Sequence, residues 1–246
     1  MQFGGDGIGL IRTKYICGLD IGQAADFTAL CVLERLDTYA EPEPNERINR
    51  DRLFTLKEHF VGSEVVEIEQ PEGVINRTYR CRHLQRFPIG TKYPVIVEAV
   101  KRLFDVPPLD RGRKETKATL VIDRTGVGRP VTDMFAASGV NAIIRPITIT
   151  GGNAIVPDDM GWHVPKKELV GVMQMLLSSS KMKILKNLPD AAVLVKELEN
   201  FRVKVKLNTG NETYSAWREG VHDDIVLAMA IAAWVGEHGN KTFWMV

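Results

Sequence analysis

The 246-residue chain lacks any apolar run near the roughly 18 residues that a bilayer-spanning helix needs. Its opening, Met1 to Thr13, also lacks the charged-then-apolar pattern of a secretory leader, so a soluble intracellular protein without a membrane partner is expected. Cysteine is scarce. Cys17, Cys31 and Cys81 are far apart in sequence, and the first two lie inside apolar runs, where a thiol packs as a small hydrophobe; all three are expected to be reduced core residues rather than zinc ligands. Net charge is almost absent, with 32 basic against 31 acidic residues, so affinity for nucleic acid cannot be argued from the field of the whole molecule. No Gly-x-x-x-x-Gly-Lys-Ser/Thr segment exists, which excludes a phosphate-binding loop of that type, and there is no internal repeat.

What is present suffices for one compact α/β domain, since 44% of the residues are hydrophobic. Charge is unevenly spread. From Arg77 to Val97 there are five bases (Arg77, Arg80, Arg82, Arg86, Lys92) and no acid, whereas Glu41 to Glu72 is rich in carboxylates; either run can be simply a solvated face. The glycine-rich residues 1–13 read as an arm or linker remnant, with the folded domain spanning residues 14–246.

Strands are predicted at Lys14–Ile21, Thr28–Leu33, Thr78–Arg86, Ala118–Ile122 and Ala142–Ile149, and helices at Pro94–Phe104 and Pro130–Ser138. The charged, proline-bearing segment Asp37–Asp51 is expected to be a surface loop. Lys166–Ser179 places Leu169, Val172, Met173, Leu176 and Leu177 on one side of an amphipathic helix, and Ala191–Phe201 is a further helix. Phe201, Val203, Val205 and Leu207 alternate with Arg202, Lys204 and Lys206, the pattern of a strand with one basic face. His222–Val235 is small and apolar almost all round, as a helix buried against a sheet should be. The alternation of strands and helices implies a central sheet covered by helices on both faces.

Three acidic positions interrupt apolar elements at their ends. Asp20 closes the first strand, Asp123 closes a later one directly before Thr125-Gly126-Val127-Gly128, and Asp223 and Asp224 open the last helix. Any one of these could merely cap a turn or a helix. Together they carry more. If the two strands are neighbours, Asp20 and Asp123 lie side by side, and a helix start crossing that edge adds Asp224. Carboxylates so crowded raise one another's pKa, and a cation is what makes the crowding tolerable. Hard oxygen ligands suit Mg²⁺ or Mn²⁺, and two such ions about 4 Å apart perform phosphodiester hydrolysis.

Gly18-Leu19-Asp20-Ile21-Gly22 with Asp26-Phe27-Thr28-Ala29, then Val121 to Gly128, then Gly220-Val221-His222-Asp223-Asp224-Ile225-Val226-Leu227-Ala228, resemble in order the nuclease domain of bacteriophage large terminases. Val164-Pro165-Lys166-Lys167-Glu168-Leu169 is also similar to that family, in which a β-hairpin near the DNA path precedes it. The resemblance implies a ribonuclease H-like α/β fold, a central mixed sheet flanked by helices on both faces. It further implies a metal-dependent endodeoxyribonuclease that cuts concatemeric double-stranded DNA in the host cytoplasm with two Mg²⁺ or Mn²⁺ ions. The ligands it implies are Asp20, Asp123 and Asp224, with Asp223 as a further ligand; which of the adjacent pair binds which ion is left open. His222 has two readings, orienting a water or phosphate or a structural place beside the helix cap, and Asp26 is expected to cap a turn. The motor domain, the small terminase subunit and the portal are the implied partners. Because the phosphate loop is missing, the chain is expected to be the nuclease half, separated from its motor.

DNA phosphates need positive partners, for which the candidates are Lys166 and Lys167 at a helix start, Arg124, Arg129, and the stretch Arg80 to Arg86, including Arg80 and Arg82. Competing readings are a junction resolvase or other ribonuclease H-like nuclease, which branched or RNA–DNA hybrid substrates would reveal, and a non-catalytic DNA-binding or assembly module in which the carboxylates are only caps. An actin-like ATPase would need a second phosphate-binding repeat and a longer chain.

Overall fold

The structure is a computed structural model that describes residues 11–22, 26–39, 74–110, 112, 117–126, 128–201, 203–205, 212–214 and 223–238. Lys14–Arg35 with Thr78–Val246 make a larger compact unit, and Met1–Thr13 with Leu36–Arg77 a smaller one. In the smaller, Arg77 Nε donates to Asp37 Oδ1 at 2.7 Å, and the Arg12 guanidinium lies 5.6 Å from the centre of the Tyr39 ring.

Eight strands form the main sheet: β1 (Ile11–Asp20), β2 (Thr28–Tyr39), β3 (Val74–Phe87), β4 (Thr119–Asp123), β5 (Ile143–Thr150), β6 (Val156–Pro157), β7 (Trp162–Pro165) and β8 (Met182–Ile184), in the order β6-β7-β5-β4-β1-β2-β3-β8. The sheet is mixed: β1 and β4, β4 and β5, β5 and β7, and β3 and β8 run parallel, whereas β6 and β7 form an antiparallel hairpin. A separate ribbon pairs β9 (Val203–Val205) with β10 (Glu212–Tyr214). The helices are α1 (Tyr93–Phe104), α2 (Gly128–Ala137), α3 (Lys166–Ser178), α4 (Ala191–Asn200) and α5 (Asp224–His238).

The period-two alternation of strand side chains divides the core in two. Ile16, Ala29, Cys31, Leu33, Tyr79, Cys81 and Val121 face α3, α4 and α5, packing with Leu169, Met173, Leu194, Ile225, Val226 and the buried run Ala228 to Trp234. Cys17, Leu19, Leu30, Val32, Leu120 and Ile122 face the other way, against Val100 and Phe104 of α1 and Val131 and Phe135 of α2. The cysteines are buried and free, and Cys31 Sγ meets Cys81 Sγ at 3.8 Å although 50 residues separate them.

Where the strands alternate cleanly, the predicted elements coincide with those found. Several boundaries differ, among them β3, which starts at Val74 rather than Thr78, and α5, which runs on to His238 rather than Val235. β1 starts at Ile11, three residues before the expected strand start at Lys14. β2 continues to Tyr39, so Asp37, expected in a loop, is buried in a strand against Arg77, whose charge makes that burial tolerable. Of the strand expected over Phe201–Leu207, Val203–Val205 is found, while Phe201 ends α4 and packs on the first core; Arg202, Lys206 and Leu207 lie outside the described residues. β6, β7, β8 and β10 are two to four residues long, too short for periodicity to register.

Candidate active site

The carboxylates meet because of register and parity. β1 and β4 pair in parallel so that Asp20 is the direct partner of Asp123. Asp20 lies two and four residues beyond Gly18 and Ile16, and Asp123 two beyond Val121, so both side chains belong to the face that α5 covers. Gly18 allows the helix to come close: a Cβ there would sit 1.9 Å from the Ala228 carbonyl oxygen. The Asp223 carbonyl accepts the Leu227 N–H at 2.9 Å, starting α5 with Asp224 as its first residue. After β4 the chain turns sharply through Gly126 at φ +80°, and Asp123 Oδ1 accepts the Thr125 N–H at 2.7 Å.

Asp20, Asp123 and Asp224 are only 9%, 6% and 6% exposed. Burial pushes Asp20 well above the ordinary carboxylate range, and the charges of Asp123, Asp224 and Asp223 push it further, while Lys166 pulls the other way. Asp123 is also raised by burial, against the opposing pull of its hydrogen bonds from Thr125 and Asp20 and the charge of Lys166. Both acids are thus shifted toward holding their protons more tightly than separate, solvated carboxylates, and a cation would pull the other way.

Two internal cations engage the remaining acids. Lys166, the first residue of α3, donates from Nζ to Asp223 Oδ2 at 2.6 Å, above the Phe201 ring. Arg86, near the end of β3, gives one terminal nitrogen to Asp224 Oδ2 at 2.8 Å and to Glu197 Oε1 at 3.2 Å. Glu197 is buried in α4, and its other oxygen accepts the Val226 N–H of α5 at 2.9 Å. Burial pushes Glu197 up to about 7, against the pull of that N–H and of Arg86. With Thr125, Lys166 and Arg86 each occupying a carboxylate oxygen, no three His, Cys, Asp or Glu side chains among the described residues enclose a ready cation cage.

The expected DNA-facing residues scatter. Lys167 Nζ reaches the Asn153 side chain at 3.0 Å in an exposed setting. Arg124 is turned inward, donating to Thr148 at 2.8 Å and pairing with Asp158, which also binds His163 Nε2 at 2.8 Å. Arg80 and Arg82 are roughly half-exposed on β3, 3.8 and 3.9 Å from Glu34 Oε2. His222 and the Arg129 side chain lie outside the described residues, and Asp26 is exposed.

Sequence reasoning offered Arg86 to DNA phosphates as part of the stretch Arg80 to Arg86, whereas its side chain pairs inward with Asp224 and Glu197; Glu197 itself was passed over. A signal for Glu197 was available: Leu194, Glu197, Leu198 and Phe201 follow the three-and-four spacing of a buried helix stripe, so a carboxylate stands where an apolar residue belongs.

The mixed sheet with helices on both faces, and with acids at the paired ends of its two central parallel strands, is a ribonuclease H-like fold. It is the fold of the large terminase nuclease from thermophilic phage G20c, whose crystal structure matches with a TM-score of 0.52 and 20% identity over 89% of this chain and 81% of that one. The human cytomegalovirus terminase nuclease domain, in a manganese-soaked structure, aligns at a TM-score of 0.47 and 9% identity over 95% of this chain and 89% of that one. No protein-family model and no curated protein matches the sequence.

Proposed function

We propose that the chain is a metal-dependent DNA endonuclease, the nuclease domain of a viral large terminase, cutting concatemeric double-stranded DNA in the host cytoplasm during packaging. The observation that carries this is the direct register of Asp20 with Asp123 on the face where Asp224 begins α5. The donors fit Mg²⁺ or Mn²⁺: all are hard carboxylate oxygens, those of Asp20, Asp123 and Asp224 are buried, and Asp20 and Asp123 are raised as acids lacking compensating charge are. When bound, two such ions activate a water and stabilise the leaving oxygen of a phosphodiester.

In this reading Asp20, Asp123 and Asp224 hold the ions and Asp223 supplies a further ligand. Lys166 offsets part of the acids' charge through its pair with Asp223. Lys167 at the start of α3 and the half-exposed Arg80 and Arg82 meet phosphates, with Arg129 a further candidate. Arg124, tied to Asp158 and Thr148, shapes the strand ends rather than reaching out to DNA. The motor domain, the small subunit and the portal are the partners that direct cutting, since no base-reading motif is visible in the sequence.

Plasmid digestion with Mg²⁺, Mn²⁺ or EDTA tests this. The parent should nick and linearise DNA with either metal and not with EDTA. Asp123→Asn should fold, gain about 1 kcal/mol of metal-free stability from relieved repulsion, and lose roughly a thousandfold in cleavage. A well-folded parent that cuts with neither metal refutes the proposal.

A further inference from the structure

Arg86 is held more firmly than any other cation described near the acids. Its guanidinium lies 3.9 Å from the centre of the Phe27 ring, its side chain is 16% exposed, and its own backbone N–H donates to Asp190 Oδ2 at 3.1 Å. The loop after β1, the strand β3 and the helices α4 and α5 all contribute to its setting. Its Nε is nevertheless buried without a hydrogen-bond partner among the described residues.

A buried ion pair with an unsatisfied donor is poor stabilisation, because apolar residues of similar volume would usually pack there at lower cost. What the arrangement accomplishes is directional. The same guanidinium nitrogen touches both Asp224 and Glu197, and Glu197 at once holds the N-terminal backbone of α5 through Val226. Glu197 thus fixes both the helix that carries Asp224 and the cation that grips one of its oxygens. Lys166 differs: it is a flexible chain whose side-chain hydrogen bond goes to Asp223 alone among the described residues.

We propose that Arg86 and Glu197 are positioning residues which orient the Asp224 carboxylate for a divalent ion, Arg86 by anchoring Oδ2 and Glu197 by clamping Arg86 to the start of α5. This rests on the nuclease reading of the site and extends it to residues that touch neither DNA nor metal. Partners of metal-ligating carboxylates act in this way, and losing one weakens metal affinity about 10- to 100-fold.

Isothermal titration of Mg²⁺ and Mn²⁺ into the intact chain, without DNA, separates the possibilities. The parent should bind. Arg86→Gln and Glu197→Gln should each bind about 10- to 100-fold more weakly, and Arg86→Lys, which keeps the charge but loses the planar fork, should recover only part of the loss. Melting curves in EDTA run beside the titrations, so a purely structural role shows as a lowered melting point with unchanged metal affinity. If either glutamine variant is too unstable to titrate, Arg86→Lys carries the test. A parent that binds metal, with folded variants that bind it as tightly or more tightly, overturns the positioning role alone. A parent that binds no metal overturns the nuclease reading and this inference with it.

Discussion

At the residue scale, the site is an excess of buried negative charge partly offset by two cations, Lys166 and Arg86. The pH dependence follows from the sign of the shifts. Glu197 rises from an ordinary 4.5 to about 7 in the folded chain, and Asp20 and Asp123 move the same way, so the folded protein binds more protons than the unfolded one. The stability these groups contribute is complete below their unfolded pKa values and is lost as pH rises through the folded ones. Urea unfolding in EDTA should therefore show a midpoint that falls as pH climbs from about 4.5 toward 7, and added Mg²⁺ should flatten the fall by favouring the ionised carboxylates. A metal-free midpoint that instead rises across that interval would contradict the assigned shifts. The acids themselves were legible in the sequence because each ends an apolar run. Their companions were harder to see: Arg86 gains meaning only from Glu197 and Asp224, which lie 111 and 138 residues away from it.

At the scale of elements, α5 decides the geometry. Eleven of its fifteen residues are buried, the small ones at the places where it crosses the sheet, and Gly18 of β1 admits its backbone. A methyl at Gly18 would press on the Ala228 carbonyl, and neither backbone can yield without moving Asp224 away from Asp20. Gly18→Ala should cost about 3 kcal/mol by overpacking and weaken metal binding together with cleavage. Unchanged thermal stability in that variant would show that the helix does not depend on the contact. The long strands and α5 were readable because they keep one period over many residues. β6 to β8 were not, since their place depends on the edges of strands already formed rather than on any pattern of their own.

For the whole molecule, topology brings together what sequence keeps apart. Asp20 and Asp123 are more than one hundred residues apart in the chain, yet strands β1 and β4 are central neighbours in the sheet, and α5 returns from the far end of the chain to the same edge. The sequence carried the α/β class and the convergence as a conditional, dependent on the two strands pairing; the structure supplies that pairing. The proposed DNA-facing surface was least legible, because Lys167, Arg80, Arg82 and Arg124 are ordinary surface cations until the fold decides which of them turn inward. Arg124 does, toward Asp158.

The central claim is that divalent ions gather the acids at this edge, and anomalous diffraction from Mn²⁺-soaked crystals tests it most directly. The account predicts one or two manganese peaks ligated by Asp20, Asp123 and Asp224, with Arg86 still bound to Asp224 Oδ2. Fully occupied manganese at other sites, with the edge between Asp20 and Asp123 empty, would contradict it.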